Sequence, residues 1–170
     1  EAYEKDFNGN KSNVGFTNYK VYVSQVPTNL EIFLENKKVE PGTNLNVKGI
    51  LRDQTGEKIG STVLLTIKNE QEKIMEEREI ATDEFFVVPI KYNEPPREWK
   101  IFGISGDLEN EMSFKILEKE AVSVELVNSS VIVTNVGNVP YNKTLLIKVG
   151  PESLNVRPYL EVDKSKKYSL

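Results

Sequence analysis

The chain contains no cysteine and no histidine. The first absence removes disulfide frameworks, thiolate metal sites and cysteine nucleophiles. The second removes histidine triads, His-x-x-x-His zinc motifs, imidazole ligands and the side chain that ordinarily titrates near neutral pH. Few enzymes work without both. Long apolar runs are missing too: the longest, Phe85-Phe86-Val87-Val88-Pro89-Ile90, is far too short to cross a bilayer. No basic stretch followed by an apolar one stands at Glu1, so a secretion signal, if used, is expected to have been removed, and any anchor to lie elsewhere. Excess positive charge is also lacking. The net charge is −4 with both signs interspersed, which leaves no basic stripe for nucleic acid.

What remains is a chain of 170 residues, rich in Glu and Lys with 2 Met, long enough for one large or two small domains. The Glu/Lys weighting matches the shift seen in thermophiles. No stretch shows a 3.6-residue apolar period. Alternation of period two recurs instead, in Leu30/Ile32/Leu34, Leu45/Val47/Gly49/Leu51, Val63/Leu65/Ile67, Phe86/Val88/Ile90, Trp99/Ile101/Gly103 and Met112/Phe114/Ile116. Turn signals separate these runs: Asn36-Lys37-Lys38, Pro41-Gly42, Asp53 to Gly56, Asn69-Glu70-Gln71, Asn93 to Pro96 and Ser105-Gly106-Asp107. Residues 72–80 have helical propensity but sit between two strands without room for a crossover, so they are expected to be a strand. Short strands with turns every eight to twelve residues, roughly, define an all-β sandwich.

A second unit starts near Glu118-Lys119-Glu120. Val122/Val124/Leu126, Val131/Val133/Asn135, Leu145/Ile147/Val149, Leu154-Asn155-Val156, Leu160-Glu161-Val162 and Tyr168 mark its strands, with a turn at Asn135 to Pro140. Its length of about fifty residues falls short of the ~100 of a full immunoglobulin-like domain. An unfinished sandwich exposes an edge, and an exposed edge invites another strand. Three regions are therefore expected: 1–26 as an extension with one strand, 27–118 as an Ig-like β-sandwich, and 119–170 as a smaller, incomplete one. Residues 1–13 are polar and expected to be poorly ordered, whereas 14–26, with Phe16, Tyr19, Val21, Tyr22, Val23 and Val26, are expected to form a strand. That strand either joins the first sandwich or is donated to the second sandwich of another subunit, which would build a filament.

The Pro41-Gly42-Thr43 turn, Gly49, the Asp53-to-Gly56 turn, Thr82-Asp83 and the Trp99-x-Ile101 strand make residues 27–118 resemble macroglobulin-like and bacterial Ig-like domains of surface proteins. Residues 121–170 resemble CARDB/NEW3-type Ig-like modules of archaeal and bacterial surface proteins, through Val133-Thr134-Asn135-Val136-Gly137-Asn138-Val139-Pro140. Two departures stand out: Glu84-Phe85-Phe86 lacks the glycine usual after Thr-Asp, and the last strand of the second module is missing or cut off. The resemblance implies tandem Ig-like modules of a prokaryotic surface protein, with no catalytic residue and no cofactor.

Residue by residue, little points to chemistry. Asp53 with Glu57, Asp83 with Glu84, and Asp107 with Glu109 and Glu111 fall at turns, where Asp accepts local backbone hydrogen bonds. Asp83 and Glu84 beside Asp53 or Asp107 would be the best calcium candidate, yet no metal site is expected. Glu76-Glu77-Arg78-Glu79 reads as a soluble face or guarded edge, and Trp99 as a core residue rather than a sugar platform. Sequons at Asn10, Asn128 and Asn142 are candidate glycosylation sites. The expected role is non-enzymatic: an extracellular, adhesive or structural ectodomain of a cell-surface protein whose partner is a protein or a surface glycan. Self-assembly through edge strands is one alternative, and an accessory domain of a secreted hydrolase another.

Overall fold

A computed structural model describes residues 2–169. Among them are fifteen strands and no helix, so no helix is long and apolar enough to cross a membrane. The fold is all-β and built on the Ig-like sandwich plan.

The larger sandwich is formed by two sheets. One contains β3 (Pro27–Leu34), β5 (Asn44–Asp53) and β8 (Phe86–Pro89), ordered β3-β5-β8. The other contains β4 (Lys38–Val39), β6 (Thr62–Lys68), β7 (Ile74–Ala81), β9 (Glu98–Ser105) and β10 (Leu108–Ile116), ordered β4-β10-β9-β6-β7. All pairs are antiparallel except β10 with β4. The alternating residues read from the sequence face inward: Leu30, Ile32, Leu45, Val47, Leu51, Val63, Leu65, Ile67, Trp99, Ile101, Phe114 and Ile116 all share one core. Trp99 and Phe114 are cross-strand partners whose rings meet edge to face at 5.9 Å. Gly49 and Gly103 permit the close approach of the two sheets. A Cβ on Gly49 would sit 2.6 Å from Val63 Cγ1, and one on Gly103 would sit 3.3 Å from Ile32. Residues 74–81 form a strand despite their helical propensity, because β6 offers them a pairing edge.

A second, smaller core holds Val131, Val133, Tyr141, Ile147 and Leu160. Its sheets are β11 (Val122–Val127), β12 (Ser130–Asn135) and β15 (Ser165–Ser169), ordered β11-β12-β15, and the hairpin of β13 (Leu145–Val149) with β14 (Glu152–Val156). The strand expected over Leu160-Glu161-Val162 reduces to a single bridge between Leu160 and Tyr141.

The N-terminal segment departs from expectation. Residues expected to lack order form a hairpin, β1 (Ala2–Lys5) with β2 (Lys11–Gly15). The missed signal is the turn: Asp6 Oδ1 accepts from the backbone N–H groups of Asn8 and Asn10, and Gly9 takes φ 81°. The expected strand over 14–26 survives only to Gly15, and residues 16–26 have no strand partner among the described residues. β-favouring residues do not make a strand without an edge to pair with. Among the described residues, hydrogen bonds hold the end of this segment. Gln25 Nε2 donates to Asp53 Oδ2, Val26 N to Gln54 Oε1, and Gln54 Nε2 to the Ser24 carbonyl.

Candidate functional site

The most built polar arrangement lies where the two cores meet. β12 carries Val131 and Val133 into the second core, and the same alternation delivers Asn135, which is fully buried. Its Nδ2 donates to the carbonyls of Val139 and Leu160 at 2.9 and 3.0 Å, while its Oδ1 accepts from Gly137 N at 2.9 Å. This fixes the loop that presents Asn138, itself 4% exposed. Asn138 Oδ1 accepts from Lys119 N at 2.7 Å, and its Nδ2 donates to Glu94 O and Leu117 O, both at 2.8 Å. One side chain of the second core thereby binds the 92–96 turn of the first sandwich and the segment that leaves β10. Asn138 N to Lys119 O and Val136 N to Ala121 O, both 3.0 Å, complete the contact as a short ladder. At the rim, Tyr92 Oη and Asn93 Nδ2 donate to the two oxygens of Asp163 at 2.5 and 2.8 Å. Those hydrogen bonds hold the Asp163 carboxyl below its ordinary range, and the same contact pushes the Tyr92 hydroxyl up. No buried side-chain polar atom among the described residues lacks a partner.

A second cluster lies on the outer face of the β3-β5-β8 sheet. Phe33 and Phe85 approach edge to face at 6.2 Å, and Lys48 Nζ lies 5.5 and 4.9 Å from their ring centres. Lys48 also reaches Asp83 Oδ1 at 2.5 Å, while Lys58 reaches Oδ2 at 2.6 Å. The two ammonium groups, first through their hydrogen bonds, bring the Asp83 carboxyl down to about 2. Phe33, Phe85 and the neighbouring Val87 stay roughly half exposed at 43%, 45% and 49%.

The carboxylates picked out in sequence are dispersed. Asp53 is buried and spent on its turn, accepting from Thr55 N, Thr55 Oγ1 and Glu57 N, and from Gln25. Asp83 serves the two lysines. Glu109 and Glu111 border an open depression of about 320 Å³ beside Phe102 and Ile104. Among the described residues no group of three metal-ligating side chains converges. Trp99 is 5% exposed, inside the core. Asn10, Asn128 and Asn142 are all exposed; Asn10 lies in the β1–β2 turn and Asn128, with φ 53°, in the β11–β12 turn. Asn142 lies between Tyr141 and β13, its carbonyl accepting from Arg157 Nε.

Sequence reasoning read Asn135 to Pro140 as a turn and missed its two buried asparagines. The signal was present: Asn135 occupies an inward position in register with Val131 and Val133, where a polar residue needs partners.

No protein-family model matches the chain, and no curated protein matches it in sequence. Among solved structures it is similar to native Escherichia coli alpha-2-macroglobulin, with 15% identity over 83% of this chain and 12% of that one, at a TM-score of 0.46. It is also similar to Salmonella alpha-2-macroglobulin reacted with methylamine, with 16% identity over 88% of this chain and 13% of that one, at a TM-score of 0.45. The chain thus spans about one eighth of the length of those proteins.

Proposed function

We propose that this chain is a non-enzymatic structural ectodomain of a cell-surface protein, in which two Ig-like modules, 27–118 and 119–170, are locked into one spacer. On this reading the first is macroglobulin-like or bacterial Ig-like and the second CARDB/NEW3-like. The observation that carries the proposal is the Asn138 side chain, which satisfies a carbonyl of the 92–96 turn, a carbonyl at the end of the first module and the N–H of Lys119 at the start of the second. Buried and fully satisfied polar contacts specify one geometry, because any other leaves desolvated groups unpaired. A fixed joint suits display and spacing.

The surface it presents is the Phe33–Lys48–Phe85 face. Half-exposed rings beside a cation offer stacking to a sugar or to an apolar side chain of a protein partner. In an extracellular setting the exposed Asn10, Asn128 and Asn142 would carry glycans, which intact-mass analysis of the chain from its native host detects.

Small-angle scattering of the monomer, at a dilution that keeps copies apart, tests the spacer directly. One maximum dimension, unchanged with salt, supports it. A distribution of dimensions, or turnover of substrate by the purified chain, would overturn it.

A further inference from the structure

Val124 and Leu126 of β11 lie opposite Val133 and Val131 of β12. Residues directly opposite in an antiparallel pair share a face of the sheet. Val131 and Val133 are 1% and 0% exposed, whereas Val124 and Leu126, on that same inward face, are 47% and 58% exposed. The second core is therefore uncovered along β11. β11 is also an edge strand of its sheet, and Glu125 is its one charged residue.

The complementary element is the segment before β3. Tyr19, Val21 and Val23 share one face of an extended chain and are 84%, 83% and 76% exposed; Lys20, Tyr22 and Ser24 lie on the other, where Tyr22 is 86% exposed. Neither Lys20 nor Glu125 has an ion-pair partner among the described residues.

The geometry points to strand exchange between copies: residues 19–23 of one chain pair antiparallel with the free edge of β11 in a second. Val21 lies opposite Val124, Tyr19 opposite Leu126 and Val23 opposite Val122, so the apolar side chains extend the uncovered inward face. In this register Lys20 stands directly opposite Glu125, on the outward face. Backbone pairing supplies affinity and the alternate side chains supply specificity.

Within one chain the donor segment starts from the end of β5 away from the joint. Pro27 pairs with Asp53, at one end of β5, while Asn44 at the other end pairs with Pro89, next to the Tyr92–Asp163 joint. Ten residues of strand separate these ends, about 30 Å. Val23 precedes Pro27 by four residues, about 14 Å of fully extended chain. The donor segment thus leaves the sandwich at the end of β5 remote from the joint that leads into β11, which favours a contact between copies. A head-to-tail contact between different surfaces propagates from copy to copy, into a ring where the rotation closes and an open chain where it does not.

The absence of native cysteine makes the test direct. Chains carrying Val21→Cys are mixed with chains carrying Val124→Cys under mild oxidation. The expected product is a mixed disulfide dimer, with the double variant giving a ladder of covalent oligomers. In parallel, sedimentation compares Lys20→Glu with Lys20→Glu/Glu125→Lys, exposed positions whose exchange leaves the fold intact. The first should weaken assembly about two- to fivefold and the second restore it, as a single cross-strand charge pair allows. No mixed disulfide, an intramolecular disulfide in the double variant, or assembly indifferent to the charges would each overturn the exchange. None of these results bears on the rigidity of the joint, which scattering tests on the monomer.

Discussion

The carbonyl oxygen of Lys119 occupies the place next to Gly137 that a side chain would need: a Cβ there would lie 2.1 Å from it and 2.8 Å from Ala121 N. Both clashing atoms are backbone, so neither can swing aside. The ladder that joins the two cores exists because residue 137 is glycine. Gly137→Ala should therefore destabilise the chain by about 3 kcal/mol, toward the upper end for overpacking. Denaturant midpoints measure this, and protease cutting between residues 117 and 121 should accelerate in step.

Asn138 has two carbonyls on its Nδ2 and one N–H on its Oδ1. Asn138→Ala leaves these groups unsatisfied and should cost about 2–3 kcal/mol. Asn138→Asp should cost more, because a carboxylate oxygen then faces the Glu94 and Leu117 carbonyls where an amide donated. Calorimetry of either variant should resolve two transitions, one for each core.

Asp83 titrates at about 2 in the folded chain against an ordinary value of 3.8. A depressed carboxylate contributes stability that is fully present above the ordinary value and lost as pH falls toward the folded one. The thermal midpoint should therefore fall between about pH 4 and pH 2, in part through this group, and Asp83→Asn should flatten that portion. With a side chain 41% exposed, the contribution should shrink as salt is raised. Asp163, held down by Tyr92 and Asn93, adds a component of the same sign at the joint.

Gly49 faces Val63 across the sandwich with 2.6 Å between its missing Cβ and Val63 Cγ1. Gly49→Ala should destabilise the first core by about 1–3 kcal/mol. The pair Gly49→Ala/Val63→Ala should recover part of that loss, since the obstructing methyl is gone. Chemical denaturation of the four-member cycle reads the coupling.

The first sandwich was legible in sequence because each strand with a water face and a core face writes its burial as alternation. Leu45, Val47 and Leu51 could be placed inward, and Trp99 assigned to the core, from spacing alone. Val124 and Leu126 carry the same alternation and face inward, yet remain exposed, because burial there depends on whether another strand covers them. Residues 16–26 failed for the matching reason: their propensity was read correctly, but pairing is a property of two segments. Asn135 and Asn138 look like turn formers locally, and only the tertiary arrangement shows which distant carbonyls they satisfy. The outer Phe33–Lys48–Phe85 row needed the register of three strands, which turn signals alone do not set.

The claim that the two cores form one rigid spacer is most directly tested by the distance between them in solution. Spin labels attached through Glu76→Cys on β7 and Lys148→Cys on β13, both exposed positions in a cysteine-free chain, report it by pulsed dipolar spectroscopy. A single narrow distance that broadens in Asn138→Ala is the result this account predicts. A broad distribution in the chain with Asn138 intact would contradict it.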